Sequence, residues 1–338
     1  SKGLTMLTKD LFKEVLFQPA QNGANKLYIV SGYATAAMAF HHLQSLRQNN
    51  YQVSVELIVG MSAADGLSES NHKGFQKLVQ NDFSGAFSCS YLTEMPPVHS
   101  KVYAWYKDEQ PVCGFVGSAN YTQTAFGKNQ REVMTLADAE QGLDYFQGLI
   151  PQSIYCDHIE AESFVQIYNE RSYERVRRER TAAQQPQPET EIAPSSPSLL
   201  GLPFVQVSLL DRYGNLPQRS GLNWGQRPEY SREPNQAYIK LPSSIYNTDF
   251  FPQRGVHFTV LTDDGKVLIC TRAQDNAKAI ETPHNNSLIG EYFRNRLGLP
   301  NGAPVSTDDL LRYGRTTVDF YKIDDETYFM DFSVPANG

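Results

Sequence analysis

The residues best suited to chemistry sit in three short stretches: His99-Ser100-Lys101, Gly117-Ser118-Ala119-Asn120, and Glu132. Side chains alternate along a strand, so a histidine and a lysine two residues apart point to one face. Val98, Val102, Tyr103, Ala104, Trp105 and Tyr106 around them are β-branched, small and aromatic types that favour a strand. A second apolar run over 111–116 ends in Gly-Ser-Ala-Asn, where the backbone turns and presents polar atoms, and a third strand is predicted over 132–137. An imidazole, an ammonium and an amide converging on one spot form a metal-free kit for phosphoryl transfer. His99 attacks phosphorus while Lys101 and Asn120 hold the non-bridging oxygens.

This pattern resembles the signature of the phospholipase D superfamily, His-x-Lys followed by Gly-(Gly/Ser)-x-Asn on the next strand. The resemblance implies that His99 is the nucleophile, that Lys101 and Asn120 bind phosphate, that Ser118 is a supporting donor, and that Glu132 orients the histidine from behind. One position departs from it. Many members carry aspartate five residues after the motif lysine, where this chain has Tyr106, with Asp108 nearby but out of register. The departure speaks against the lipid-synthase branches and leaves the nuclease branch, which uses a downstream glutamate. Superfamily chemistry needs a second histidine to protonate the leaving oxygen. None of His41, His42, His72, His158, His257 and His284 has lysine two residues on. The expectation is therefore a homodimer, with two His99 residues facing across a two-fold axis. Free imidazole titrates near ~6.5, so one residue type serves as attacker in one copy and proton donor in the other.

These residues need a scaffold. Apolar spacing predicts a helix over 4–17 stopped by Pro19, strands over 26–33 and 53–61 with a helix over 36–48 between them, a helix over 71–80 and a strand over 87–92. After the motif strands comes a helix over 138–149. The alternation predicts an α/β fold, a mixed sheet flanked by helices on both faces, with the motif near its centre. A charged, solvated helix is predicted over 160–180, and the Pro-, Gln-, Ser- and Thr-rich 181–198 reads as an extended linker. The expected organisation is a nuclease and dimerisation domain over 1–180, the linker over 181–198, and a DNA-binding domain over 199–338.

A chain of 338 residues with 40% apolar content favours two domains. No apolar run is long enough to cross a membrane, the start carries no signal for export, and Cys89, Cys113, Cys156 and Cys270 are scattered. These features lead to the expectation of a cytoplasmic protein with reduced thiols. Asp65, Glu69 and His72 are weighed as metal ligands and read instead as a polar loop entering a helix, so no metal is predicted. The net charge of −7 is unusual for a nucleic-acid enzyme. The charge is regional, however: Arg212, Arg219, Arg227, Arg232 and Lys240 outnumber Glu229 and Glu233, whereas Asp319, Asp324, Asp325, Glu326 and Asp331 dominate near the end.

Past the linker, strands are predicted over 203–210 and 236–241, separated by the long polar segment 211–235. A hairpin over 257–271 turns at Asp263-Asp264-Gly265; a second polar loop over 272–287 precedes helices over 288–297 and 308–313 and a strand over 316–323. The prediction is a small β-barrel-like domain. Ser220-Gly221-Leu222-Asn223-Trp224-Gly225, the stretch 287–297 and Tyr313-Gly314-Arg315 resemble the C-terminal domain of restriction endonucleases of the NgoAVII and NgoFVII type, to which BfiI is related. That domain has the DNA-binding pseudobarrel fold of plant "B-three" transcription factors and grips the major groove with two arms. The resemblance implies one arm of Arg219, Asn223, Trp224, Gln226 and Arg227 and another of Arg272, Gln274, Asn276 and Lys278. Arginine and lysine pair with guanine acceptors, and asparagine and glutamine with adenine. Trp224 reads equally as a plug for its own loop.

The expected function is a metal-independent restriction endonuclease that recognises double-stranded DNA through its second domain. It would hydrolyse phosphodiesters through a phosphohistidine in its first. A phospholipase D-type lipid hydrolase or transferase is the first alternative, but no lipid-facing segment is evident. A non-enzymatic sequence-specific DNA-binding protein is the second, and the complete motif argues against it. The chain has no phosphate-binding glycine loop, so no cofactor is predicted and any ATP dependence comes from a partner. The resemblance implies a helicase-like ATPase subunit and a cognate methyltransferase as partners.

Overall fold

The structure, a computed structural model, describes residues 5–170 and 201–335. The chain divides into two compact units, Ser1–Asn169 and Glu170–Gly338. The first carries β1 (Met6–Leu7), β2 (Lys26–Ser31), β3 (Ser54–Val59), β4 (Leu67–Ser68), β5 (Phe87–Leu92), β6 (Val102–Lys107), β7 (Gln110–Gly117), β8 (Met134–Ala137), β9 (Ser153–Tyr155) and β10 (Ile167–Tyr168). Eight of these form one mixed sheet in the order β1-β8-β7-β6-β2-β3-β5-β9. The β2–β3 and β3–β5 pairs are parallel and the β2–β6 pair antiparallel, so the motif strand β6 lies at the centre, as expected.

Alternation along β6 explains how both faces are covered. Ala104 and Tyr106 pack towards the helix Ala139–Leu149. Tyr103 and Trp105 point the other way, where Trp105 lies edge-on to His42 of the helix Ala36–Gln48 and donates to the Val15 carbonyl at 2.7 Å. His42 is fully buried between the Tyr121 hydroxyl and the Leu16 carbonyl, each 2.7 Å away, and burial pulls its pKa down to about 4.

Several expected elements differ. Residues 5–10 are not helical: Met6–Leu7 joins the sheet edge against β8, a tertiary pairing that overrides the helical spacing. Helix begins at Leu11, runs as a π-helix over Phe12–Phe17 and continues as a short α-helix over Gln18–Gln21; Pro19 falls in the first turn of that second segment, where proline is tolerated. In the described part of the expected helix over 160–180, Ala161–Phe164 is helical, β10 then pairs in parallel with β4, and helix returns at Glu170. The remainder of that helix and the linker over 181–198 lie outside the described residues.

The second unit carries β11 (Phe204–Ser208), β12 (Ile239–Lys240), β13 (His257–Thr262), β14 (Val267–Ala273), β15 (Ala279–Glu281), β16 (Thr317–Asp324) and β17 (Thr327–Asp331). They form a barrel-like mixed sheet in the order β11-β16-β17-β13-β14-β15-β12 around a core that includes Phe251, Phe258, Phe293, Phe320 and Tyr328. The hairpin and the helix Leu288–Leu297 fall where expected. Two strands were not anticipated. β15 interrupts the second polar loop, and β17, entirely buried, runs through the stretch read as an acidic tail. The apolar triplet Tyr328-Phe329-Met330 was its signal. Among the described residues no helix is long and apolar enough to cross a membrane.

Candidate active site and nucleic-acid interface

The motif segment lies outside the strand ladder: β6 begins at Val102, so His99 and Lys101 precede the strand rather than sit on it. Pro96 and Pro97 just upstream have no N–H to give a ladder. What seats the segment is close contact with a neighbouring strand end. Val98 donates to the Gly60 carbonyl at 3.0 Å, and a Cβ at Gly60 would lie 2.1 Å from the Val98 oxygen, so only glycine lets the chain lie there.

The expected alternation holds. Ser100 faces away, its hydroxyl 2.7 Å from that of Tyr145, while His99 and Lys101 share the other side. His99 is exposed and Lys101 only 7% so. Lys101 Nζ donates to the His99 carbonyl at 2.6 Å and lies 3.1 Å from His99 Nδ1. An ammonium has only protons to offer, so Nδ1 is the acceptor and the ring proton of a neutral imidazole rests on Nε2. Burial lowers the Lys101 pKa below its ordinary 10.5, opposed by the negative charge of Glu132.

Asn120 arrives from the turn after β7. Its Oδ1 accepts from the Tyr33 backbone N–H at 3.2 Å and lies 3.3 Å from the Ser31 hydroxyl. That fixes the flip of the amide: Nδ2 faces the other way and donates to no described residue, an orientation suited to an anionic oxygen. Tyr103 donates to the Ala119 carbonyl at 2.8 Å and holds the turn to β6. Gly117 allows the turn to press on the next segment, since a Cβ there would meet the Val133 oxygen at 2.1 Å. Ser118 donates to Glu132 Oε2 and accepts from the Val133 N–H at 2.9 Å.

His99, Lys101, Ser118, Asn120 and Glu132 therefore belong to one connected neighbourhood. Glu132 lies just before β8, not on it, and among the described residues no hydrogen bond joins it to His99. Its hydrogen-bond partner is Ser118, whose proton is spent on it. Sequence reasoning missed Ser31 and Tyr33. Ser31, a polar residue ending a buried apolar strand, was a visible signal; Tyr33 had none. The discarded metal trio also separates: Asp65 bonds the Tyr33 hydroxyl, Glu69 bonds Lys73, and His72 bonds Tyr91. Among the described residues no group of three or more histidine, cysteine or acidic side chains could hold a metal ion.

The expected arm residues fare differently. Asn223 is buried; its Nδ2 donates to the Pro217 and Val305 carbonyls and its Oδ1 accepts from the Val305 N–H, each at 2.8 Å. Arg272 is buried too, donating to the Ala277 carbonyl at 3.0 Å and the Tyr246 carbonyl at 2.7 Å. Gln226 gives its amide protons to the Pro234 and Gly302 carbonyls at 3.0 and 3.1 Å. These three are corrected from base contacts to loop braces, because loop carbonyls without ladder partners need donors. Arg219 pairs with Glu229, and Arg227 Nε donates to the Arg219 carbonyl at 2.8 Å. Trp224 is half-buried, edge-on to Tyr238. Gln274 and Asn276 lie with Ala277 in a turn of left-handed backbone, Asn276 exposed at the tip, and Lys278 lies 5.2 Å from the Tyr246 ring centre.

One cation outside the expected set stands out. Arg232 stacks on Trp224 at 4.2 Å and lies 5.8 Å from the Tyr230 ring centre. Its Nε is buried without a hydrogen-bond partner.

Comparison with known proteins follows the same division. A family model described as the NgoFVII restriction endonuclease N-terminal PLD domain matches residues 9–163, and one described as the NgoFVII C-terminal B3-like DNA-binding domain matches residues 200–324. Among solved structures, NucT from Helicobacter pylori is 17% identical with a TM-score of 0.32, the match covering 45% of this chain and 98% of that one. Nuc from Salmonella typhimurium, a phospholipase D family member, is 16% identical with a TM-score of 0.34, covering 45% and 97%. The phosphatidylserine synthase of Haemophilus influenzae Rd KW20 is 17% identical with a TM-score of 0.36, covering 53% and 46%. No curated protein matches the chain. Two models that are halves of one family thus take up most of the sequence, and the chain belongs to the NgoFVII restriction endonuclease family, DNA hydrolases with a phospholipase D-type domain followed by a B3-like DNA-binding domain.

Proposed function

We propose that the protein cuts DNA without metal, through a covalent phosphohistidine at His99. The observation that carries this reading is the cluster of exposed His99, the Lys101 ammonium beside it and an Asn120 amide fixed with its N–H groups unspent. Nε2 of one His99 attacks phosphorus, the P–O bond to one strand end breaks, and the His99 of a second copy gives its proton to the departing oxygen. Water, deprotonated by that second imidazole, then displaces the first and restores both. The donor copy acts as the doubly protonated imidazolium, which becomes neutral on giving up its Nε2 proton and can then take one from water. In the attacking copy Lys101 leaves Nδ1 for the phosphate oxygens, so that the ring proton can move to Nδ1 and free Nε2.

The homodimer follows from this need for two imidazoles in a chain with one motif. The second unit supplies sequence recognition, with Arg232 among its duplex contacts. A helicase-like ATPase subunit, a cognate methyltransferase and a cytoplasmic location remain part of the proposal through the family resemblance. Cleavage assays in excess EDTA test it. The wild-type protein should cut at an undiminished rate, and His99→Ala should bind duplex normally and cut nothing. Complete loss of cutting in chelator rejects the mechanism.

A further inference from the structure

Tyr33 stands just beyond β2 with 43% of its surface exposed. Its phenol donates to Asp65 Oδ2 at 2.5 Å. Its ring meets the His99 imidazole edge-on, the centroids 6.2 Å apart and the planes at 86°. Its backbone N–H also holds Asn120 Oδ1. One residue thus touches both the imidazole and the amide of the site, and a carboxylate outside the motif anchors its far end.

We propose that Tyr33 is a positioning residue for His99: its ring is a wall that limits the swing of the imidazole, and Asp65 clamps the wall. His99 is exposed and precedes the strand, so the ladder does not restrain its side chain. An in-line attack tolerates roughly 10–20° of misorientation, and a displacement of about 1 Å can cost on the order of 100-fold in rate. An aromatic edge against the ring supplies that restraint without adding a charge that would alter its basicity. The inference rests on His99 being the nucleophile.

Side-chain substitutions leave the Tyr33 N–H and its hold on Asn120 in place, so they isolate the wall. Tyr33→Ala should lower kcat about 30-fold, with KM, duplex affinity and thermal unfolding unchanged. Tyr33→Phe keeps the wall and loses the clamp, as does Asp65→Ala; each should lower kcat only about 3-fold, and the double variant no further than either. With His99→Ala inactive, three results would overturn the assignment of Tyr33 alone: wild-type kcat in Tyr33→Ala, an effect wholly in KM or thermal stability, or a Tyr33→Phe variant as impaired as Tyr33→Ala. If His99→Ala itself still cuts, the reading of the site falls and the wall with it.

Discussion

In the first unit, Asn120 accepts two contacts at its oxygen and keeps its N–H groups unspent, and Lys101 sits where a phosphate oxygen could draw it off His99. In the second, Asn223 and Gln226 spend both amide protons on carbonyls of their own fold, and Arg272 is buried with its protons on two carbonyls. Polar side chains of similar type thus keep protons unspent in one unit and brace loop carbonyls in the other. The difference lies in what surrounds them. Residues 98–101 and 118–120 adjoin the ends of sheet strands whose backbone is already satisfied, so their side chains are left for other work. The loop 211–235 carries no strand; its backbone is closed by short turns, and carbonyls those turns leave over, such as Pro217 and Pro234, are met by side chains.

The sharpest way to break this contrast is to remove one group on each side. Lys101→Ala should lower the cleavage rate on the order of 100- to 1,000-fold, far more than the roughly 1 kcal/mol of stability lost with its bond to the His99 carbonyl would explain. Asn223→Ala should do the reverse. It strands two carbonyls and an N–H in the interior and should cost about 2–4 kcal/mol of stability in the second unit, read by urea unfolding of the full chain. A stable Asn223→Ala that binds DNA poorly would return that residue to the recognition surface. Arg232→Ala should weaken duplex binding about 10-fold and reduce the salt dependence by roughly one ion, with little effect on unfolding.

A smaller, pH-linked effect separates the units further. His42 is neutral and buried, its pKa pulled down from 6.5 to about 4. Above about pH 6.5 it is uncharged in folded and unfolded chains alike and contributes no pH dependence. As pH falls from there to about 4, the unfolded chain takes a proton that the folded one refuses, so stability is lost progressively, on the order of 3 kcal/mol in all. Acid unfolding followed by the fluorescence of Trp105, which lies against His42, should show this loss. A stability independent of pH between 7 and 4.5 would contradict it.

The first unit was legible because its signals were local and periodic. Strands of buried apolar residues, a helix capped by Thr35 and the two-residue spacing of His99 and Lys101 each follow from alternation or turn geometry. What escaped the reading depended on distant partners. Met6–Leu7 became an edge strand only because β8 was there to pair with it, and Ile167–Tyr168 only because of β4. The bond between Ser118 and Glu132 joins residues brought together by two turns, whereas the family resemblance implied that Glu132 faces His99. In the second unit β13, β14 and the helix Leu288–Leu297 were readable, whereas the use of each loop side chain was not. Nothing in Arg219-Ser220-Gly221-Leu222-Asn223 says which amide will find a carbonyl. Arg232 shows the converse: an arginine between Tyr230 and Glu233 looks like an ordinary solvated charge until the fold lays it on Trp224.

The central claim is that His99 becomes covalently attached to DNA. Protein quenched in alkali during turnover, with chelator present, and analysed by peptide mass spectrometry tests it directly. The account predicts a nucleotide phosphoryl adduct on the peptide containing His99, formed and lost at the rate of cleavage and missing in His99→Ala. Steady cleavage with no adduct at any time point would contradict it.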